Sequence, residues 1–196
     1  MRRLLLALTL FAHAAFARAP DDFPTRLVDA ARSQIGVTVG YDGSYRRIGY
    51  PGGDVPLQTG VCTDVVIRAY RQLGVDLQVL VHEDMLRAGS AYPRRWGTTR
   101  TDPHIDHRRV PNLGTFFGRQ RAALPVSQEG ADYRAGDVVT WMLPSHRPHI
   151  GIVSSTRRLG RPLVIHNIGF GAREDDVLFS YPLTGHYRFS RKAAAR

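Results

Sequence analysis

Apolar residues recur at the spacing of a helix in the first part of this chain and at the spacing of a strand in its last third. The segment FPTRLVDAARSQIG repeats apolar residues at helical spacing, which predicts an amphipathic helix that ends at Gly36. The apolar face of this predicted helix consists of Leu27, Val28, Ala31 and Ile35. The same spacing predicts further helices from about Cys62 to Leu73, over residues 75–92, and over residues 112–120.

Short β-rich runs follow in the last part of the chain. They are GDVVTWM, HIGIVSS, PLVIHNIG and LFSYPLTGHYRF, each bounded by Gly, Pro or basic turn residues. Runs of this kind predict an antiparallel meander. Because the helices come first and the strands afterwards, we expect an α+β fold with N-terminal helices packed on an antiparallel β-sheet.

The first residues have the pattern of a secretory signal peptide, predicted over residues 1–17. Arg2 and Arg3 precede the apolar run LLLALTLFAHAAF, and small residues follow it. We expect cleavage after Ala17, because cleavage after Ala19 would place Pro20 first in the mature chain. The apolar run is shorter than the ~20 residues of a membrane-spanning helix. The protein is therefore expected to be periplasmic or secreted, without a transmembrane anchor.

Length and composition predict one domain over residues 23–190, followed by a short basic tail at residues 191–196. The formal net charge of the chain is +10 and stays positive without the arginines of the leader. A basic protein is loosely attracted to polyanions such as cell-wall polymers. No nucleic-acid-binding motif accompanies the arginines, so a specific nucleic-acid partner is not expected. We expect a monomer.

The single cysteine, Cys62, allows two interpretations. In an exported chain it has no internal disulfide partner, so it is either a buried apolar residue or a thiol kept for chemistry. Its helical spacing with Val65, Val66 and Ala69 favours burial. Its expected place in the first turn of a helix favours reactivity, because free N–H groups there stabilise a thiolate and an oxyanion.

A nucleophilic cysteine needs an imidazole base, and two neighbouring strands offer histidines. His149 opens the run HIGIV, and His166 closes the run PLVIH. A hairpin that pairs Ser155 with about Pro162 would bring the start of one strand to the end of the other. Adjacent residues of a strand point to opposite faces, so either His166 or Asn167 can reach His149, but not both.

A cysteine at a helix start, a histidine at a strand start and a polar residue on the next strand resemble the papain-like NlpC/P60 cell-wall peptidases. More closely, the chain resembles a bacterial family catalogued as domain of unknown function 1287. The matching stretches are GVCTDVVIRAYRQLGVDLQ, VHEDM, IDHRRVPNLGTFF, GDVVTWMLP, HIGIV, HNIG and LTGHYR. The resemblance implies a papain-like domain and an exported cysteine hydrolase that cleaves an amide bond in peptidoglycan peptides, with no cofactor.

The resemblance also implies catalytic roles by position. Cys62 matches the nucleophile, His149 the general base and His166 the residue that orients this base, with Asn167 as the alternative third residue. His149 either draws the proton from the thiol as sulfur attacks, or rests with it as a thiolate–imidazolium pair.

Three further residues complete the predicted site. Gln58 and Tyr50 lie upstream of the cysteine and are candidate oxyanion donors, and Arg108 is a candidate substrate-binding residue. One departure concerns the substrate, because this chain has Val61-Cys62-Thr63-Asp64 where many cell-wall peptidases have Asp-Cys-Ser. The scissile bond is therefore not assigned.

Two other function classes remain open at this point. His104, Asp106 and His107 are ligand types that could hold zinc together with His82 or His146, as in a metal-dependent cell-wall amidase. No metal signature is complete, so a solvated or substrate-contacting loop is favoured there and no metal site is predicted. A non-enzymatic wall-binding module is the third class.

Overall fold

The computed structural model describes residues 22–93 and 100–190. Its helices and strands span most of the predicted domain. The predicted signal peptide at residues 1–17 and the predicted basic tail at residues 191–196 lie outside the described residues.

Four α-helices occur among the described residues, and all four lie in segments where helical spacing predicts them. They are α1 (Phe23–Arg32), α2 (Cys62–Gln72), α3 (Leu77–Ala88) and α4 (Val110–Arg119). The first helix is shorter than predicted, and Ile35 is 40% exposed instead of buried. Gln34 turns inward in its place and donates a hydrogen bond to the carbonyl of Val65, 2.8 Å away. The hydrogen bond from Gln34 to α2 therefore decides which residue after the end of α1 faces the core, against the prediction from apolar spacing.

The described residues contain eight strands. They are β1 (Gly40–Tyr41), β2 (Thr59–Gly60), β3 (Ala123–Leu124), β4 (Val138–Leu143), β5 (Arg147–Arg158), β6 (Arg161–Asn167), β7 (Ala172–Asp175) and β8 (Leu183–Tyr187). The first two form a short parallel pair, and the others form a sheet in the order β3-β8-β4-β5-β6-β7. Every pair in this larger sheet is antiparallel. The mixed helix and sheet content confirms the predicted α+β class.

The sheet departs from a simple meander at both ends. Strands β4 to β7 follow one another in space, but β8 returns to pair with β4 on its other side. The predicted last strand is also too long, because Leu178 precedes β8 and packs instead into a buried cluster with Trp141. The charged strand β7 was not predicted, since its sequence ARED has no apolar alternation.

Apolar side chains bury both faces of the sheet. On one face, α1, α2 and α4 pack on a cluster that includes Ile150, Ile152 and Ile165. On the other face, Trp141 and Val164 belong to a second cluster, which the segment before β8 covers. Side chains alternate along each strand, so neighbouring residues of β5 and β6 enter different clusters.

Helix α2 lies at the centre of the domain and is buried on all sides, although the sequence predicts a single apolar stripe. Its first nine residues are all buried, and these include Thr63, Asp64 and Arg68. Arg68 pairs with Asp54 at 2.9 Å and donates to backbone carbonyls of the loop that leads to β2. The polar face of α2 therefore anchors the segment that precedes Cys62.

Candidate active site

Cys62 is the first residue of α2, as the sequence predicts, and follows an extended Val61. The residue is 4% exposed. Burial raises the pKa of the Cys62 thiol to about 12, although the backbone N–H groups of Ile150, Thr63 and Cys62 act in the opposite direction. The helix start thus supplies the donors that the sequence argument expects, but burial outweighs them and the resting thiol is neutral.

Asp64 and Arg108 stabilise the turn that carries the thiol. The Asp64 carboxylate accepts a hydrogen bond from the N–H of Val61 at 2.6 Å, and Arg108 donates two more at 2.8 and 2.9 Å. The side chains of Arg108 and Asp64 are 2% and 3% exposed. Arg108 therefore has almost no surface for a direct substrate contact, and its substrate-binding role stays a prediction. Its contacts support the helix start instead.

His149 and His166 form an imidazole pair on neighbouring strands. Nε2 of His149 lies 2.8 Å from Nδ1 of His166, and both residues are buried. The ring of Trp141, paired with His149 across β4 and β5, stacks on the His149 ring at a centroid distance of 5.6 Å. Trp141 is itself held by a hydrogen bond from Nε1 to the carbonyl of Leu178. The position of His149 is thus fixed from two sides.

The register of β5 and β6 differs from the prediction near the hairpin but not near the imidazole pair. Pro162 pairs with Arg157, and not with Ser155 as the sequence argument expects. An irregularity between Val153 and Arg157 shifts the register back, so that Ile152 pairs with Ile165. Because of this shift, the start of β5 lies beside the end of β6 as the sequence predicts, and His149 is a neighbour of His166.

Asn167 points to the face opposite His166 and binds the chain near Cys62. Its Nδ2 donates to the carbonyls of Gly40 and Gly60, at 3.1 and 3.0 Å. Of the two candidates for the third residue, it is His166 that contacts His149, and Asn167 binds other partners. These two hydrogen bonds join β6 to the β1–β2 pair. One of them is to Gly60, which lies two residues before Cys62 in the chain.

Burial keeps the imidazole pair neutral. It lowers the pKa of His149 to about 3, and the neighbouring His166 adds to this effect. Burial also lowers the pKa of His166, against an opposing effect of Asp175. In the described part of the chain, neither imidazole is among the groups that shift the pKa of the Cys62 thiol. The thiol lies instead beside the backbone of Ile150, the residue after His149.

Tyr41 is a neighbour of Cys62 that the sequence argument missed. Burial raises the pKa of this phenol to about 12, and the charges of Cys62 and Asp64 contribute in the same direction. Arg147 and Arg108 oppose this increase. Tyr41 is 48% exposed as a whole residue, and its phenol lies close enough to Cys62 for the two groups to interact electrostatically. The only local signal is the run of tyrosines between α1 and Cys62, at Tyr41, Tyr45 and Tyr50.

The two candidate oxyanion donors lie on the loop that precedes α2. Tyr50 packs edge-on against His82 of α3, at a ring centroid distance of 5.2 Å. The side chain of Gln58 is exposed, while its carbonyl accepts hydrogen bonds from the N–H groups of Val39 and Gly40. The role of both as oxyanion donors stays a prediction.

The loop that offers metal-ligand residue types, around His104, Asp106 and His107, does not assemble a ligand set in the described residues. Among residues 22–93 and 100–190, no three His, Cys, Asp or Glu side chains are grouped so that they could hold a metal ion. His107 is buried, and this burial lowers its pKa to about 3. Asp106 accepts a hydrogen bond from the N–H of Asp102 at 2.5 Å. These contacts are those of a folded loop that packs against α2 and α3.

Comparison with known proteins identifies the family. Residues 28–189 match the model of the family described as Domain of unknown function (DUF1287). The chain belongs to this family. It is 55% identical over 164 residues to the uncharacterized protein YijF of Escherichia coli (strain K12), which covers 83% of this chain and 80% of that protein. The predicted resemblance to this family is thus confirmed.

The part of this DUF1287 chain that matches the family contains the thiol and the imidazole pair. Cys62, His149, His166 and Asn167 all lie within the matched residues. None of the helices in the described residues is long and apolar enough to cross a membrane.

Proposed function

We propose that this DUF1287 protein is an exported cysteine hydrolase with a papain-like, NlpC/P60-like domain that cleaves an amide bond in peptidoglycan peptides. The observation that carries the proposal is the 2.8 Å contact between Nε2 of His149 and Nδ1 of His166, next to the strand residue whose N–H faces the Cys62 sulfur. A buried imidazole oriented by a second polar side chain is the arrangement that a general base requires.

The geometry of the imidazole pair assigns its ring nitrogens. Because Nε2 of His149 is engaged by His166, Nδ1 is the nitrogen that remains for the thiol. Catalytic hydrogen bonds often tighten only when substrate binds. The imidazole pair lies on the Trp141 face of the sheet, whereas Cys62 packs with Ile150 on the face covered by α2. The proposal therefore requires Cys62 and Nδ1 of His149 to come within hydrogen-bond distance at the start of β5 in the complex with substrate.

The raised pKa of Cys62 and the lowered pKa of His149 favour one of the two open mechanisms. Both groups rest neutral, so His149 removes the thiol proton as sulfur attacks the amide carbon. The C–N bond then breaks, the same imidazole returns the proton to the leaving amine, and water hydrolyses the thioester to regenerate the thiol. The N–H groups of Cys62 and Thr63 at the start of α2 are suited to stabilise the oxyanion.

Peptidoglycan as substrate is supported by the predicted signal peptide and by the positive charge of the chain. The chain stays positively charged without the arginines of the leader, and this charge attracts the protein to anionic wall polymers. The half-exposed Tyr41, which interacts with Cys62, and the exposed Arg147, which interacts with Tyr41, offer polar groups for a peptide with a free carboxylate.

The test is digestion of purified sacculi by the protein without its leader, with mass analysis of the soluble fragments. The wild type should release peptide fragments, while Cys62→Ala and His149→Gln should release none above background. His146→Asn is the matched control, since His146 is an exposed histidine three residues before His149 with φ of 56°, a conformation that Asn tolerates. This control should digest sacculi at the wild-type rate.

The competing classes give different results in the same assay. A metal-dependent amidase would be inhibited by chelators and not by iodoacetamide. A wall-binding module would sediment with sacculi without releasing fragments, and Cys62→Ala would bind as well as the wild type. Full digestion by Cys62→Ala would overturn the proposal.

A further inference from the structure

The outer ring nitrogen of His166 faces a carboxylate that no sequence pattern indicates. In the described part of the chain, Nε2 of His166 is buried without a well-formed hydrogen bond, and Oδ2 of Asp175 lies 3.3 Å from it. The His166 side chain is 1% exposed and that of Asp175 is 29% exposed. The carboxylate therefore connects a buried imidazole with the protein surface.

Strand β7 brings Asp175 to this position. Val164 pairs with Asp175 and His166 pairs with Arg173. Residues paired across antiparallel strands point to the same face of a sheet. Asp175 thus lies diagonally across from His166, on the face that also carries His149 and Trp141.

The hydrogen bonds of the imidazole pair determine which nitrogen of His166 carries a proton. If Nδ1 of His149 accepts the thiol proton, then its Nε2 already carries hydrogen and donates to Nδ1 of His166. The hydrogen of His166 must then be on Nε2, directed at Asp175. An ionised carboxylate can only accept hydrogen bonds, so it favours this tautomer at His166 and, through His166, at His149.

The groups that face His166 lie on three strands, and the charged ones are on β7. On β7, Arg173 and Asp175 face it, and Nε of Arg173 lies 3.3 Å from the same Asp175 oxygen that faces His166. On β5 the facing group is His149, and on β4 it is the uncharged ring of Trp141, at a centroid distance of 6.4 Å. Asp175 is the anion among the described groups that act on His166.

We propose that Asp175 is a positioning residue of this site. Its carboxylate accepts from Nε2–H of His166 and so holds the imidazole pair in the tautomer that leaves Nδ1 of His149 free to accept the Cys62 proton. The inference rests on the proposed thiol chemistry for its consequence in catalysis. The tautomer can be measured without substrate.

The variant that tests this inference is Asp175→Asn, with Asp176→Asn as the matched control. Asp176 is the next residue, loses the same charge, and pairs with Arg161 at 2.9 Å and not with an imidazole. Nitrogen-15 NMR of the imidazole rings reports the tautomer, and His166→Gln assigns the signals. The wild type and Asp176→Asn should carry hydrogen on Nε2 of His166, and Asp175→Asn should shift the population towards Nδ1–H.

Two further readouts separate positioning from simple support of the fold. The apparent pKa of His166 should fall in Asp175→Asn and not in Asp176→Asn, because the carboxylate raises it. The rate of wall digestion by Asp175→Asn should fall roughly tenfold or more through kcat, with KM little changed, as for loss of part of a general-base system. Asp175→Glu keeps the charge, so it should recover part of the His166 pKa and part of the digestion rate.

Failure of this inference is distinguishable from failure of the proposed function. If the wild type carries hydrogen on Nδ1 of His166, or if Asp175→Asn leaves tautomer and pKa unchanged, Asp175 has no positioning role. If Asp175→Asn shifts the tautomer but the wild type releases no wall fragments, the positioning role stands and the proposed function falls. Measuring the wild-type tautomer keeps the test decisive even if Asp175→Asn does not fold.

Discussion

Arg108 donates two hydrogen bonds to the carboxylate of Asp64, and this ion pair lies directly behind the helix start that carries Cys62. The carbonyl of Arg108 also accepts a hydrogen bond from the hydroxyl of Thr63 at 2.9 Å. The loop before α4 is thereby joined to the first turn of α2 at Thr63 and Asp64, the two residues after the thiol. Side chains this deeply buried have no access to water if the pair is broken.

Arg108→Met should destabilise the protein by about 3–5 kcal/mol, because it leaves the Asp64 carboxylate buried without its partner. Urea unfolding followed by circular dichroism measures the difference. Arg46→Met is the control, since Arg46 pairs with Asp42 at 3.0 Å on the surface and is 49% exposed. Its loss should change stability by less than about 1 kcal/mol. Equal effects of the two variants would contradict the buried role of Arg108.

Asn167→Ala should weaken the connection between β6 and the β1–β2 pair without altering the imidazole pair. The loss of two donated hydrogen bonds leaves the carbonyls of Gly40 and Gly60 without this partner, which should lower stability by about 1–3 kcal/mol. The pKa of His166, followed by NMR, should stay at its wild-type value. A displaced His166 pKa would instead assign Asn167 to the imidazole system.

The Cys62 thiol should react slowly with iodoacetamide at neutral pH, because burial raises its pKa to about 12. The rate should rise as pH is increased above neutrality, for as long as the protein remains folded. Since the chain has one cysteine, incorporated mass reports this site alone. Strong thiolate absorbance at 240 nm and pH 7 would show a resting thiolate–imidazolium pair and refute the neutral resting state.

Stability should fall as the pH is lowered below about 6.5, the ordinary pKa of histidine. Burial lowers the pKa of His149 and of His107 to about 3, so between these values the unfolded chain binds protons that the folded protein does not. The free energy of unfolding should therefore decrease with falling pH, by up to about 1.4 kcal/mol per pH unit for each such histidine. Above pH 7 this contribution is fully present.

His149→Gln removes one of these groups and should make the acid slope of the unfolding free energy shallower. An unchanged slope in His149→Gln would show that His149 is protonated in the folded protein as easily as in the unfolded chain.

Local periodicity predicted the elements that carry the candidate site. The start of α2 at Cys62, the strands that contain His149 and His166, and the α+β class all follow from spacings of three, four or two residues. The side chain that contacts His149 was left open between His166 and Asn167. That choice depends on the register of β5 and β6, which an irregularity beyond Val153 shifts.

Other features of the site have no local signal. Asp175 lies in a strand without apolar alternation, and the Arg108–Asp64 pair joins residues 44 positions apart. Arg108, expected at the substrate, is buried because the loop before α4 folds over the polar face of α2.

The sequence by itself determined the four α-helices, the strands β4, β5, β6 and β8, and the place of Cys62, His149 and His166 near the ends of these elements. It could do so because helices and strands impose short repeats on the residues that face a core. Only the tertiary structure decided that burial keeps the thiol and the imidazole pair neutral, that His166 and not Asn167 meets His149, and that Asp175 faces the outer nitrogen of His166. These features depend on contacts between distant segments and on exclusion of water, which no local repeat encodes.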